Sequence, residues 1–199
     1  LPVSMTSRFG ASLLALLLFC RSSDSYEKST LPDPRDPEFI EECVKTHNDF
    51  RSAVDPPASN MLYMTWDPDL AKTAKGWAKK CQFKHNTYIG HAEVHPRFRS
   101  IGENIWIGSV PAFTPKVAIT SWKNEVRFYT YDTNSCSKIC GHYTQVVWAT
   151  SYKVGCAVHF CRKIKYSSAR NAAYFVCNYG PPGNLPMRPY KTGAECSEC

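Results

Sequence analysis

Phe39, Ile40, Cys43, Val44, His47 and Phe50 recur at three- and four-residue spacing behind Asp36-Pro37. An aspartate cap followed by a first-turn proline is how an amphipathic helix begins, and the pattern carries this one to about Val54, where Pro56-Pro57 stops it. The same device returns at Asp67-Pro68, and Leu70, Ala71, Ala74, Trp77, Ala78 and Cys81 form the stripe of a second helix. Thr114-Pro115 opens a third, carried by Val117, Ala118, Ile119, Trp122, Val126 and Tyr129. Between the second and third, residues 82–100 are polar, rich in His and Arg and without period, which predicts an exposed loop holding His85, His91 and His95. Gly102-Glu103-Asn104-Ile105-Trp106-Ile107 follows as a turn into an extended or irregular segment. The pattern then becomes strand-like over 145–150, 154–161 and 172–179, with the last two joined as an antiparallel hairpin. Helices first and strands later, with no regular βαβ alternation, predict an α/β sandwich whose helices cover an antiparallel sheet.

The stretch from Ile139 to Thr150 draws the candidate chemistry together. Val146-Val147-Trp148 reads as a buried strand, and His142 and Tyr143 stand at its entry, where a side chain can turn from a rigid sheet into a cleft. Three further ionisable groups fall at element ends or in the irregular middle: His85 after the second helix, Glu103 behind a glycine, and Glu125 three residues beyond Trp122. Two imidazoles and two carboxylates suit a zinc site, or acid–base work in which each carboxylate orients a histidine. Spacing does not show that they meet, and His47, His91, His95 and His159 are equally available.

With 199 residues, 43% of them hydrophobic and 21% charged, the chain is an ordinary globular domain with a tail. A net charge of +7 favours anionic surfaces, yet the cations are scattered apart from Arg162, Lys163, Lys165 and Arg170. No nucleic-acid motif accompanies them, so nucleic acid is not an expected partner. Arg8 precedes an apolar run from Phe9 to Cys20 that is too short to span a bilayer and is followed by small residues. This predicts a secretory signal over 1–25, starting at Met5 and cut between Ser22 and Ser25. A linker over 26–35, a folded domain over 36–184 and an extended tail over 185–199 follow. Secretion makes the cysteines disulfide candidates. Nine remain once Cys20 leaves with the signal, so they cannot all pair internally, and Cys196-Ser197-Glu198-Cys199 looks like the start of a further cysteine-rich segment.

Neither G-x-S-x-G nor H-E-x-x-H occurs, and Ser100, Ser109 and Ser121 have no neighbour in sequence that would activate them. Two longer motifs are more specific. Gly141-His142-Tyr143-Thr144-Gln145-Val146-Val147-Trp148-Ala149-Thr150-Ser151 and the run from Tyr174 through Cys177-Asn178-Tyr179-Gly180-Pro181-Pro182-Gly183-Asn184 resemble the two signatures of the CAP superfamily. That superfamily comprises the cysteine-rich secretory proteins, insect antigen 5 and plant pathogenesis-related 1 proteins. His47-Asn48, the run from Cys81 to Asn86, and Gly102-Glu103-Asn104 fit as well, so the resemblance covers about Phe39 to Tyr190. Within it the chain most resembles the glioma pathogenesis-related group, through Asn60-Met61-Leu62-Tyr63-Met64-Thr65-Trp66-Asp67 and Glu103-Asn104-Ile105-Trp106.

The resemblance implies a disulfide-braced α-β-α sandwich with a central cleft holding His85, Glu103, Glu125 and His142, where the two histidines bind zinc in several family members. It implies the pairings Cys81 with Cys161, Cys156 with Cys177 and Cys136 with Cys140, and leaves Cys43 without an evident partner. It favours a secreted, non-enzymatic module that binds an extracellular protein, glycan, lipid or sterol, in cell-surface recognition such as that between sperm and egg, or in immune defence. A longer form would attach to membranes through a further C-terminal segment. The alternative is a zinc-dependent hydrolase, protease or esterase, working through the same four residues.

Overall fold

Asp36 accepts a hydrogen bond from the Glu38 amide at 3.0 Å and starts helix α1, Pro37–Ser52. The computed structural model describes residues 31–199, so the expected signal over 1–25 and the first half of the linker lie outside the described residues. Strand β1 is Thr65–Trp66, and Asp67 then caps α2, Pro68–Ala78. Strand β2 is Gly102–Ser109, a regular strand where the sequence suggested only an extended or irregular segment. Thr114 caps α3, Pro115–Lys123, which tightens into a 3₁₀ segment over Asn124–Phe128 that carries Glu125. A small ribbon, β3 (Tyr129–Thr130) and β4 (Ser135–Cys136), leads to α4, Gly141–Val146. The long hairpin of β5, Lys153–Lys163, and β6, Arg170–Gly180, completes the chain's regular structure.

The main sheet runs β1-β5-β6-β2, with β1 parallel to β5 and the other pairs antiparallel. Period-two alternation divides its side chains between two cores. Tyr174 and Val176 of β6 and Ile105 of β2 pack under α2 with Ala74, Trp77 and Ala78. Phe175, Cys177 and Tyr179 face the opposite way, among Phe39 and Cys43 of α1, Ile119 and Trp122 of α3, and Tyr143 and Val146 of α4. Helices thus cover both faces, giving the expected sandwich.

Two local expectations are corrected. The stretch from Gly141 through Val146 is a short helix, not the entry and start of a strand. Its apolar end, Val146-Val147-Trp148, is wholly buried, and six residues are too few for a helical period to be read. The 82–100 loop is not exposed throughout: Asn86 and His95 are buried. Beyond Asn184 the expected extended tail is instead a series of bends ending in a turn over 195–198, and it is held down. The Ala149 amide donates to the Pro189 carbonyl at 2.8 Å, the Ser59 amide to the Lys191 carbonyl at 2.9 Å, and Tyr190 is buried.

The three disulfides implied by the resemblance are present, together with Cys196–Cys199, while Cys43 is a buried free thiol. Burial raises its pKa well above the ordinary thiol value, which keeps it protonated and unreactive.

Candidate functional site

β2 is the last strand of the sheet, and the four residues named from sequence gather about it as two pairs. Glu103, on β2 itself, lies beneath the 82–86 turn: its Oε1 is 2.9 Å from His85 Nδ1 and accepts the Asn86 amide at 2.8 Å. Backbone pairing sets this turn in place, since the Phe83 amide donates to the Lys165 carbonyl and the Lys165 amide to the Cys81 carbonyl, beside the Cys81–Cys161 disulfide. Glu125 holds the other imidazole. Its Oε1 lies 2.7 Å from His142 Nδ1, and its Oε2 accepts the His142 and Tyr143 amides at the start of α4. Trp122 stacks on the His142 ring, with centroids 6.1 Å apart and planes 10° from parallel.

Asn104 joins the pairs. Adjacent to Glu103 but on the opposite face of β2, it donates to the His142 carbonyl at 3.0 Å and to the Tyr179 hydroxyl at 3.3 Å. The cleft along β2, about 730 Å³, is lined by Glu125 and His142 with Trp122, Ile105 and Phe83; His85 and Glu103 are not part of that lining. The cleft therefore begins at one pair and runs toward the turn that bears the other. Sequence reading did not single out Asn104 as a linking residue, although it stands inside the quoted Gly102-Glu103-Asn104 run.

Each histidine meets its carboxylate through Nδ1. A carboxylate accepts, so the proton sits on Nδ1, and Nε2 is left with a lone pair suited to a metal or a proton. The hydrogen bond to Glu103 raises the pKa of His85, with desolvation opposing it. Glu103 Oε2 is buried with no partner, a strong acceptor left beside the His85 ring. The four residues do not supply three clustered ligand atoms, so a metal here would rest on the two imidazoles alone.

Among the described residues one other group has ligand atoms within 4.8 Å of one another: Asp67, Asp69 and His95. Asp67 Oδ1 already accepts from the Asp69 and Leu70 amides and His95 Nε2, at 2.9, 3.1 and 3.2 Å, and its Oδ2 accepts from Arg97 at 2.5 Å. Burial works to raise its pKa, but those hydrogen bonds, His95 foremost, hold it below the usual carboxylate value. With its acceptors committed and an arginine in place, Asp67 is a helix cap rather than a metal ligand.

The family model for CAP, the cysteine-rich secretory protein family, matches residues 44–179. Mouse glioma pathogenesis-related protein 1 is 53% identical over 178 residues, covering 89% of this chain and 66% of that protein. Human GLIPR1-like protein 1 is 50% identical over 173 residues, covering 86% and 70%. The chain thus spans about two thirds of the length of these curated relatives. Among solved structures, NaASP2 with Zn²⁺ is 28% identical with a TM-score of 0.64, covering 86% of this chain and 92% of that one. The family match, the curated relatives and the solved structure agree, and the chain belongs to the CAP family of cysteine-rich secretory proteins.

Proposed function

We propose that this chain is an extracellular, non-enzymatic binding module that engages its partner at the cleft along β2, with zinc held by His85 and His142 setting the loops around it. One observation carries the reading: each imidazole is fixed by a carboxylate at Nδ1, which leaves Nε2 for a ligand, and among the described residues neither is bonded to a hydroxyl that it would activate. Ser121, in the cleft, donates to the Ala118 carbonyl at 2.6 Å, and Ser167 accepts the Ala169 amide. The family of cysteine-rich secretory proteins and the four disulfides support the location, and the solved relative with Zn²⁺ supports the metal. No helix among the described residues is long and apolar enough to cross a membrane. On this reading the zinc ion is bound by the two Nε2 atoms, its other positions left to water or to a group of the partner. Such an ion would cross-link the 82–86 turn to the start of α4.

Zinc titration by calorimetry tests the site. Wild type is expected to bind, His85→Ala and His142→Ala to lose binding, and Glu125→Gln to bind roughly tenfold more weakly because the ring it orients is released. Unchanged binding in both histidine variants removes the site. Incubation of the purified chain with a mixed peptide and ester library separates binding from hydrolysis: zinc-dependent turnover abolished by Glu103→Gln would establish the hydrolase instead.

A further inference from the structure

The outer edge of β2 forms part of the floor of the cleft, and edge strands present main-chain groups to whatever lies beside them. Trp122 Nε1 donates to the Ile105 carbonyl at 3.2 Å, so the main chain of Ile105 faces outward, away from β6. In an antiparallel ladder, residues two apart point their N–H and C=O groups the same way. Ile107 therefore also turns its amide and carbonyl to the outside, where Ile105, Trp106 and Ile107 line the cleft. Gly108 helps to shape that floor, because a Cβ there would collide with the Trp106 indole that lies over it.

The rim is charged in one sense. Arg127 and Lys138 stack on the same Phe128 ring, at 4.7 and 5.3 Å from its centroid, and all three line the cleft. Both cations are exposed, and among the described residues neither forms a salt bridge. The carboxylate of the cleft, Glu125, is taken by His142 and two amides. Ile139, 74% exposed, stands beside Lys138 in a loop closed by the Cys136–Cys140 disulfide.

A main-chain donor and acceptor, apolar side chains on either hand and two unmatched cations are complementary to an extended peptide that carries acidic residues. Sugar hydroxyls would find few partners on Ile107, Ile139 and Phe83, and a lipid chain would leave the main chain of Ile107 unused. We propose that the cleft takes an extended acidic segment of a partner protein, which adds as a strand along the outer edge of β2 at Ile107 and sets a carboxylate between Arg127 and Lys138. This rests on the reading of the cleft as a binding site and names what it binds.

The test selects random octapeptides displayed on beads against the whole chain, then measures the recovered peptides by fluorescence anisotropy. Recovered sequences are expected to combine acidic residues with alternating apolar ones. Arg127→Glu combined with Lys138→Glu, and separately the exposed Ile139→Asp, should each weaken binding at least about tenfold. Methylating every second peptide nitrogen should abolish binding in one register and spare it in the other, as strand pairing requires. Failure to enrich acidic peptides, methylation effects equal in both registers, or wild-type affinity in the charge-reversal variant would overturn the proposal. So would heparin octasaccharide or phosphatidylserine vesicles binding through the same cations when no peptide does. Zinc calorimetry on the same samples tells the two ideas apart: intact zinc binding without peptide enrichment removes the peptide and leaves the metal site standing.

Discussion

His47 is fully buried on α1, and its two nitrogens are spoken for: Nδ1 lies 2.7 Å from the Cys43 carbonyl and Nε2 2.9 Å from the Tyr179 hydroxyl. A carbonyl only accepts, so the ring carries its proton on Nδ1 and takes one from Tyr179, which in turn accepts from Asn104, the residue that also holds the His142 carbonyl. A neutral histidine in the core is thereby connected to the wall of the cleft. Burial lowers its pKa to about 4, and the nearby Arg51 charge works in the same direction against the Cys43 hydrogen bond. The unfolded chain takes up this proton near pH 6.5 and the folded chain only near pH 4, so the contribution is complete above 6.5 and lost as pH falls through that window. About 3 kcal/mol of stability should disappear between pH 7 and 4 on this account. Urea unfolding at both pH values, with His47→Gln as the variant that cannot titrate, isolates it. The wild type should show the steeper fall, and parallel curves would refute the assignment. Arg51, one turn further on, shows the same economy of partners: its guanidinium donates to the carbonyls of Leu62, Val146, Trp148 and Ala149, tying α1 to the end of α4 without a carboxylate.

Between elements, α2 sits on β5 with almost no space. A Cβ at Gly155 would fall against the backbone of Asp67, Leu70 and Ala71, none of which can swing aside as a flexible side chain does. Gly155→Ala should therefore lift the first turn of α2 from the sheet, loosen the Asp67 cap, and cost on the order of 3 kcal/mol, read as a lower urea midpoint at unchanged slope. A midpoint at the wild-type value would show that close packing of α2 on Gly155 does not limit stability. The same contact shows what the sequence could tell. The caps Asp36, Asp67 and Thr114 and the stripes behind them announce α1, α2 and α3, because each helix keeps one face in water and so keeps its period. α4 is too short to show a period, and its buried Val146-Val147-Trp148 end reads as a strand. Glu103 and His85 are 18 residues apart, and Glu125 and His142 17. Neither pair has a periodic signal, since the partners come from different elements; their places at element ends make the four residues candidates, and only the likeness to a family motif brings them together. Arg127 and Lys138 carry no motif at all, and meet only because the ribbon of β3 and β4 folds back over Phe128.

At the scale of the described residues, the cleft lies at the β2 edge of the sheet, where two loops of separate origin come together, each braced by a disulfide. Cys136–Cys140 closes the loop before α4, while Cys81–Cys161 fastens the end of α2 and the His85 turn to β5 across 80 residues of sequence. Bridging so long a segment removes much of the freedom of the unfolded chain, which the chain-entropy treatment puts at about 4 kcal/mol. The backbone pairs of Phe83 and Lys165, and the Tyr174 hydroxyl donating to the Gln82 carbonyl at 2.8 Å, would still guide the turn when the bridge is gone. Replacing both cysteines by alanine should thus destabilise the fold by roughly that amount in urea unfolding while leaving a folded chain. His85 should then be less firmly placed over Glu103, so zinc affinity should fall in the same variant, whereas replacing Cys136 and Cys140 should leave the His85–Glu103 pair intact. Calorimetry on the two double variants at a temperature where both are folded makes the comparison. Equal zinc affinities in wild type and the Cys81/Cys161 variant would show that the sheet and the Glu103 carboxylate position the imidazole without help from the bridge.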